Sequence, residues 1–141
     1  MLLGSMLAGM AFANAPVAAV HALAYPIGGL FHVPHGLSNA MVLPHVVRFN
    51  APAAEPLYAD IAEIVVPGAR GDAAEKTAAL VRTLAGLAPS VGLDTSLRSA
   101  GITRADLPKL AEDAMKQTRL LVNNPRELTY DDALTIYGQA L

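Results

Sequence analysis

The sequence predicts a single all-α domain, residues 1–141, with about six to eight helices around one core. Hydrophobic residues make up 53% of the chain and aromatic residues only 5%. The excess consists mainly of Ala and Leu, which are strong helix formers. No run of four to eight residues alternates between apolar and polar side chains as a half-buried strand does. A chain of this length can bury a sizeable core.

Two helices are predicted at the N-terminus. The first covers residues 1–12, with Asn14 as a cap. Pro16 suits the first turn of the second helix, because the first helical position needs no backbone N–H. This second helix runs to about Ala24, where Pro26 and the glycines after it stop it.

The middle of the chain predicts a loop over residues 30–36 and a third helix over about 36–49. Pro52 and Pro56 then bracket a linker, because proline disrupts a helix interior. A short helix follows to about Ile64.

Three helix starts are marked by capping residues in the second half of the chain. Asp72 is a good N-cap for a helix over about 73–88, which has apolar residues at spacings of three and four. Residues 103–106 resemble a capping box, in which the first and last side chains each accept a hydrogen bond from the other's backbone N–H. They begin a helix that runs through about Arg119. Residues 129–132 cap the last helix.

Composition excludes several classes of protein. The net charge of −2 does not indicate the basic surface that nucleic-acid binding requires. The absence of Cys excludes disulfides and thiolate metal sites. Residues 1–15 resemble a signal peptide but lack its positively charged start. A membrane span needs about 20 consecutive apolar residues, and polar residues and prolines interrupt this run first. We therefore expect a cytoplasmic protein whose N-terminal helix is buried within a larger protein.

All four histidines lie in the first 47 residues, which contain no Asp, Glu, Lys or Arg. Burying a polar ring costs free energy unless it gains a partner, and neutral imidazole is the commonest protein metal ligand. The glycines and prolines between His21 and His35 allow the chain to return one toward the other. Without thiolates, such a site suits Zn, Fe(II), Ni, Cu or Mn. The alternative is that these histidines cap helices or bond backbone carbonyls.

Longer stretches resemble the iron-containing (group III) alcohol dehydrogenases. The match begins at Ala8-Gly9-Met10-Ala11-Phe12-Ala13-Asn14-Ala15 and continues at Pro34-His35-Gly36-Leu37-Ser38-Asn39-Ala40-Met41-Val42-Leu43-Pro44-His45-Val46. Asn123-Asn124-Pro125-Arg126-Glu127-Leu128-Thr129 is similar to the family's C-terminal end. The resemblance covers nearly the whole chain.

The resemblance implies the all-helical C-terminal domain of such an enzyme. His21 and His35 match the two family histidines that bind the catalytic metal, Fe²⁺ or another divalent ion such as Zn²⁺. The family's remaining ligands, an Asp and a third His, and its NAD(P)-binding domain would precede Met1. The chain alone is therefore expected to be inactive. The full enzyme would interconvert a small alcohol and an aldehyde as a homo-oligomer.

The resemblance also implies roles for two further residues, Tyr25 and Phe12. Tyr25 stands where the family often has a histidine near the substrate and nicotinamide, and a tyrosine is a poor proton shuttle at neutral pH. It could instead pack under the cleft with its hydroxyl bonded. Phe12 matches an aromatic residue that lines the nicotinamide cleft, and its alternative is a core position.

The remaining polar candidates favour structural roles. His32 is expected to be a loop histidine and His45 to bond a neighbouring group in mid-helix. The charged C-terminal residues, Arg126 among them, are expected on a solvated surface.

Two alternative functions stay open. One is an oxidoreductase on the same fold that resembles maleylacetate reductase. The other is a non-catalytic helical module that binds metal weakly or only packs against a partner. The long uncharged segment is expected at the centre of the core, and residues 1–15 with the loop 25–36 should border an exposed apolar face.

Overall fold

The computed structural model describes residues 1–141 and contains helices without strands. This confirms the all-α prediction. Two short 3₁₀ helices, Leu97–Ala100 and Arg104–Asp106, precede α5. The seven α-helices are α1 Leu2–Asn14, α2 Ala19–Phe31, α3 His35–Val65, α4 Ala73–Ser90, α5 Leu107–Met115, α6 Thr118–Leu121 and α7 Tyr130–Ala140.

The core lies where α2, the first half of α3, α5 and α7 meet. Its side chains are fully or almost fully buried and mainly aliphatic, as helix packing in a core requires. The largest of them are Leu23, Ile27, Met41, Val42, Val46, Leu97, Ile102, Leu110, Ile136 and Tyr137. The second half of α3 packs instead against α4, which buries Ala59, Ala62, Leu80 and Val81.

Helix α1 stands apart from this core. None of its residues is buried, and it exposes Leu2, Leu3, Met6, Leu7, Met10 and Phe12. The expectation that the whole uncharged segment forms the centre of the core is therefore wrong for residues 1–16. Apolar side chains occupy all sides of α1. A single neighbouring element could therefore cover only part of its apolar surface. No single helix is long and apolar enough to cross a bilayer; α1 and α2 reach that requirement only together, and they are bent by 104°.

Helix α2 continues past the proline that was expected to end it. It runs to Phe31 with Pro26 in its interior. Leu23, Pro26 and Ile27 are all buried, and this burial offsets the backbone hydrogen bond that proline cannot donate. The buried hydroxyl of Tyr137 donates a hydrogen bond of 2.7 Å to the carbonyl of Leu23, three residues before the proline. Helix α7 thus bonds the proline-containing turn, although the carbonyl that Pro26 leaves without a backbone donor is that of Ala22.

Helix α3 is likewise continuous through the predicted linker. It spans 31 residues with Pro52 and Pro56 inside it, so the expected break after residue 49 is wrong. Arg126 donates to the carbonyl of Phe49 at 2.9 Å, again three residues before a proline. Side-chain donors from distant elements therefore support α3 where prolines weaken it.

Helix α4 and the C-terminal segment make the other side-chain contacts with α3. Thr77 donates to the Glu55 carbonyl at 3.1 Å. The side-chain amides of Asn50 and Asn124 bond each other reciprocally at 2.9 and 2.8 Å. The Arg126 guanidinium lies 4.1 Å from the centre of the Phe49 ring. Arg126 is therefore exposed, as expected, but it also contacts α3.

The predicted helix starts are confirmed more closely than the ends. Capping boxes are present at Asp72, Thr103 and Thr129. The box at Thr103 opens a 3₁₀ turn that leads into α5. The helix expected to reach Arg119 ends at Met115 and is followed by the separate short α6.

We predict that Tyr137→Phe lowers the free energy of unfolding by about 1–3 kcal/mol, because it removes the donor from a buried carbonyl. Urea unfolding followed by circular dichroism measures the change. Tyr130→Phe is the matched control, since Tyr130 lies at the protein surface and should change stability by less than about 0.5 kcal/mol. Equal stability of the two variants would contradict the assigned role of Tyr137.

Candidate metal centre

The candidate site is built on the chain reversal between α2 and α3. His32 ends α2 in the left-handed conformation, with φ of 56° and ψ of 26°. Histidine is among the few residues besides glycine that adopt this conformation with some frequency. The buried Ser38 donates to the carbonyls of Val33 and Pro34 at 3.3 and 3.2 Å. These interactions fix the segment that leads into His35.

The returning segment passes directly over α2. A Cβ atom at Gly28 would lie 3.4 Å from the carbonyl oxygen of Val33. This is an ordinary van der Waals distance, so the segment runs in contact with α2 without requiring glycine at this position. As a result, His35 at the start of α3 lies beside His21 near the start of α2.

The rings of His21 and His35 approach each other closely. Their centroids are 5.2 Å apart, and the ring planes are inclined by 54°. Two imidazoles bound to one ion through bonds of roughly 2.0–2.1 Å at a tetrahedral angle have centroids about 5.2 Å apart. The spacing is therefore that of two ligands on a shared ion.

The surroundings of His21 favour its neutral form. Burial lowers its pKa first, and the neighbouring His35 lowers it further. A metal ion binds the deprotonated nitrogen of a neutral imidazole. The lowered pKa of His21 therefore favours the form that coordinates.

Tyr25 completes a cluster of three rings. Its ring centroid lies 6.3 Å from that of His21, at 87°, and 6.0 Å from that of His35. Tyr25 is 43% exposed on the surface of this chain. It borders the surface on which the two histidines converge.

Phe12 lies on α1 and is 56% exposed. The alternative core position is therefore excluded within this chain. An exposed phenylalanine on an apolar helix provides a surface on which a planar apolar group could pack.

Asn39 contacts the site and was not identified from the sequence. Its side-chain nitrogen lies 3.1 Å from Nε2 of His35, while its oxygen, Oδ1, is buried without a partner. The signals in the sequence are its place in the stretch that resembles the family and its spacing of four residues from His35, which places both on one face of a helix.

His45 lies elsewhere, between α3 and α7. It lines a cavity of about 100 Å³ together with Arg48, Asp132 and Gln139. Burial lowers its pKa first and the charge of Arg48 lowers it further, whereas a hydrogen bond with Gln139 raises it. His45 therefore takes no part in the pair formed by His21 and His35.

The donor set fits part of a metal site. The two converging imidazoles suit a divalent ion that accepts nitrogen ligands. The chain contains no group of three or more His, Cys, Asp or Glu side chains that could hold an ion. The residues present therefore fit two coordination positions and leave the others to different donors.

Comparison with known proteins defines the class of protein. The family model described as "Fe-containing alcohol dehydrogenase family, C-terminal" matches residues 1–141. The chain belongs to this family of enzymes, which confirms the resemblance.

Particular relatives refine the comparison. The chain is 41% identical to the 1,3-propanediol dehydrogenase of Klebsiella pneumoniae, over 99% of the chain and 36% of the relative. It is 37% identical to the lactaldehyde reductase of Escherichia coli K12, over 99% of the chain and 37% of the relative. A crystal structure of a 1,3-propanediol oxidoreductase superposes with a TM-score of 0.91 and 37% identity, covering 97% of this chain and 36% of that one. The chain thus spans little more than a third of these relatives.

We predict that His32→Val lowers the free energy of unfolding by about 1–2 kcal/mol, the cost of placing an ordinary L-residue in the left-handed conformation. His32→Asn is the control, because asparagine adopts this conformation readily. Chemical denaturation of both variants measures the difference. If valine and asparagine are tolerated equally, the reversal does not depend on the conformation of residue 32.

Proposed function

We propose that the chain supplies two ligands, His21 and His35, to the catalytic metal of an NAD(P)-dependent alcohol dehydrogenase. The observation that carries this proposal is the 5.2 Å separation of their ring centroids. Membership of the iron-containing family favours Fe²⁺, and Zn²⁺ accepts the same nitrogen ligands.

The proposed reaction is hydride transfer between a small alcohol or aldehyde and NAD(P). A divalent ion at this site supplies Lewis acidity toward the substrate oxygen. His21 and His35 would hold the ion, and the chain reversal between α2 and α3 brings their rings to a centroid distance of 5.2 Å. The names of the relatives support small alcohols and aldehydes as the substrate class.

Tyr25 and Phe12 would shape the surroundings of the reacting atoms. The Tyr25 hydroxyl can donate one hydrogen bond to a substrate oxygen beside the two histidines. Phe12 would provide an apolar wall for the nicotinamide ring and help to exclude water. The exposure of both side chains on the surface of the chain supports these roles.

The remaining parts of the enzyme would come from polypeptide outside these residues. We propose that an Asp and a third His complete the ligand set and that a separate domain binds NAD(P). The exposed apolar surface of α1 supports such a neighbour, because contiguous apolar patches on soluble proteins mark interfaces. We also propose that the assembled enzyme is a cytoplasmic homo-oligomer.

Calorimetric titration of the metal-free chain with Zn²⁺ or Co²⁺ tests the ligand assignment. We predict that His21→Ala and His35→Ala each weaken binding by at least about tenfold, the lower end of the loss found even for residues that only support a ligand. His45→Ala is the control and should bind as the wild type does. If His21→Ala and His35→Ala retain wild-type affinity, the two histidines do not share an ion and the non-catalytic module becomes the better account.

We also predict that the 141 residues alone show no NAD(P)-dependent oxidation of 1,3-propanediol when Fe²⁺ or Zn²⁺ is supplied. Dinucleotide-binding domains cradle the pyrophosphate in a Gly-rich loop at a helix N-terminus, and the chain has no such loop. Absorbance of NADH or NADPH at saturating cofactor measures turnover, with a whole 1,3-propanediol dehydrogenase as positive control. Turnover by the purified chain would contradict the assignment of cofactor binding to other polypeptide.

A further inference from the structure

We infer that Asn39 is a positioning residue that holds His35 in one tautomer, with the proton on Nδ1 and the lone pair of Nε2 available. The importance of this tautomer for metal binding rests on the proposed function. The tautomer itself is a property of the metal-free chain and can be measured without metal.

The geometry places the Asn39 amide against one nitrogen of His35. The two residues are one turn apart at the start of α3. Nδ2 of Asn39 lies 3.1 Å from Nε2 of His35, which is within hydrogen-bond distance. The His35 ring also packs near the rings of His21 and Tyr25, but Asn39 makes its one side-chain hydrogen bond.

The burial of the other amide atom decides which end of Asn39 faces the ring. The nitrogen and oxygen of a side-chain amide can be exchanged by rotation, so the surroundings must distinguish them. The atom that faces away from His35 is buried and has no partner. An under-satisfied carbonyl oxygen is tolerated in the interior more often than an unpaired N–H group. The oxygen of Asn39 therefore points inward and its NH₂ group points to His35.

The direction of the hydrogen bond then determines the tautomer. An amide NH₂ group only donates, so Nε2 of His35 must accept and carries no proton. In a neutral imidazole the proton then resides on Nδ1, because the hydrogen bond at one ring nitrogen sets the state of the other.

This arrangement prepares His35 for coordination. A metal ion requires an unprotonated ring nitrogen, and Asn39 maintains one at Nε2. A bound ion would take the place of the Asn39 N–H group at that atom. Asn39 is thus the partner of the lone pair until an ion replaces it.

Nitrogen NMR of the chain labelled with ¹⁵N at histidine tests the inference, because ¹⁵N shifts and long-range couplings distinguish the two tautomers. The spectra are recorded without metal at alkaline pH, where imidazoles are neutral. We expect mainly the Nδ1–H form for His35. In Asn39→Asp the carboxylate only accepts, and we expect His35 to change to the Nε2–H form. Asn39→Leu should leave a mixture of both.

Matched controls separate this role from a structural one. Asn14→Asp adds the same charge on α1, where Asn14 bonds only the Met10 carbonyl, and should leave His35 unchanged. His21 and His45 should keep their tautomers in every variant. An Nε2–H form of His35 in the wild type, or an unchanged tautomer in Asn39→Asp, would overturn the inference.

Zn²⁺ titration of the same sample distinguishes this inference from the proposed function. A Zn²⁺-induced shift at Nε2 of His35, with Nδ1–H retained, supports both. If the wild type shows the Nδ1–H form and Zn²⁺ leaves His35 unshifted, the proposed metal centre fails while the tautomer assignment stands. If Zn²⁺ binds to a ring that is Nε2–H beforehand, Asn39 has no positioning role and the metal centre stands.

Discussion

The burial of the Pro26 turn of α2 determines where the chain reverses, and the candidate site depends on that reversal. If α2 ended before Pro26, the segment leading to His35 would start about 1.7 helical turns earlier and would not follow the observed path back to His21. The turn is held by aliphatic packing around Leu23 and Ile27 and by the hydrogen bond from Tyr137 to the Leu23 carbonyl. Burial raises the pKa of Tyr137 above its ordinary value, and the charge of Asp113 raises it further. Its hydroxyl therefore remains a donor across the physiological pH range.

The local signals in the sequence predicted the helix starts well. Asp72, Thr103 and Thr129 each cap a helix or 3₁₀ turn through bonds to residues three positions away, and such bonds are visible in a short stretch of sequence. The continuous helices α2 and α3 could not be predicted in the same way. Proline disfavours a helix interior, and the side chains that bond the two proline-containing turns are Tyr137 and Arg126, 114 and 77 residues distant from their acceptors. Tertiary contacts of this range leave no mark in the local pattern.

Local sequence patterns do not show tertiary contacts, which is also why the exposure of the N-terminal segment and part of the site could not be predicted. Residues 1–47 are uniformly free of charge, yet α1 is exposed and the helices after it form the core. Apolar composition indicates that a helix is covered, but it does not indicate whether the cover is this chain or another polypeptide. His21 and His35 could be identified from residue type and resemblance. Asn39 could not, because its importance lies in one hydrogen bond and in a buried oxygen without a partner.

The central claim is that His21 and His35 bind one ion, and X-ray absorption spectroscopy of the Zn²⁺-loaded chain tests it most directly. Multiple scattering from imidazole rings counts the histidines bound to the metal. We expect two imidazole nitrogens at roughly 2.0–2.1 Å, with the remaining positions filled by oxygen ligands. A spectrum with one imidazole or none, at a metal loading of one ion per chain, would contradict it.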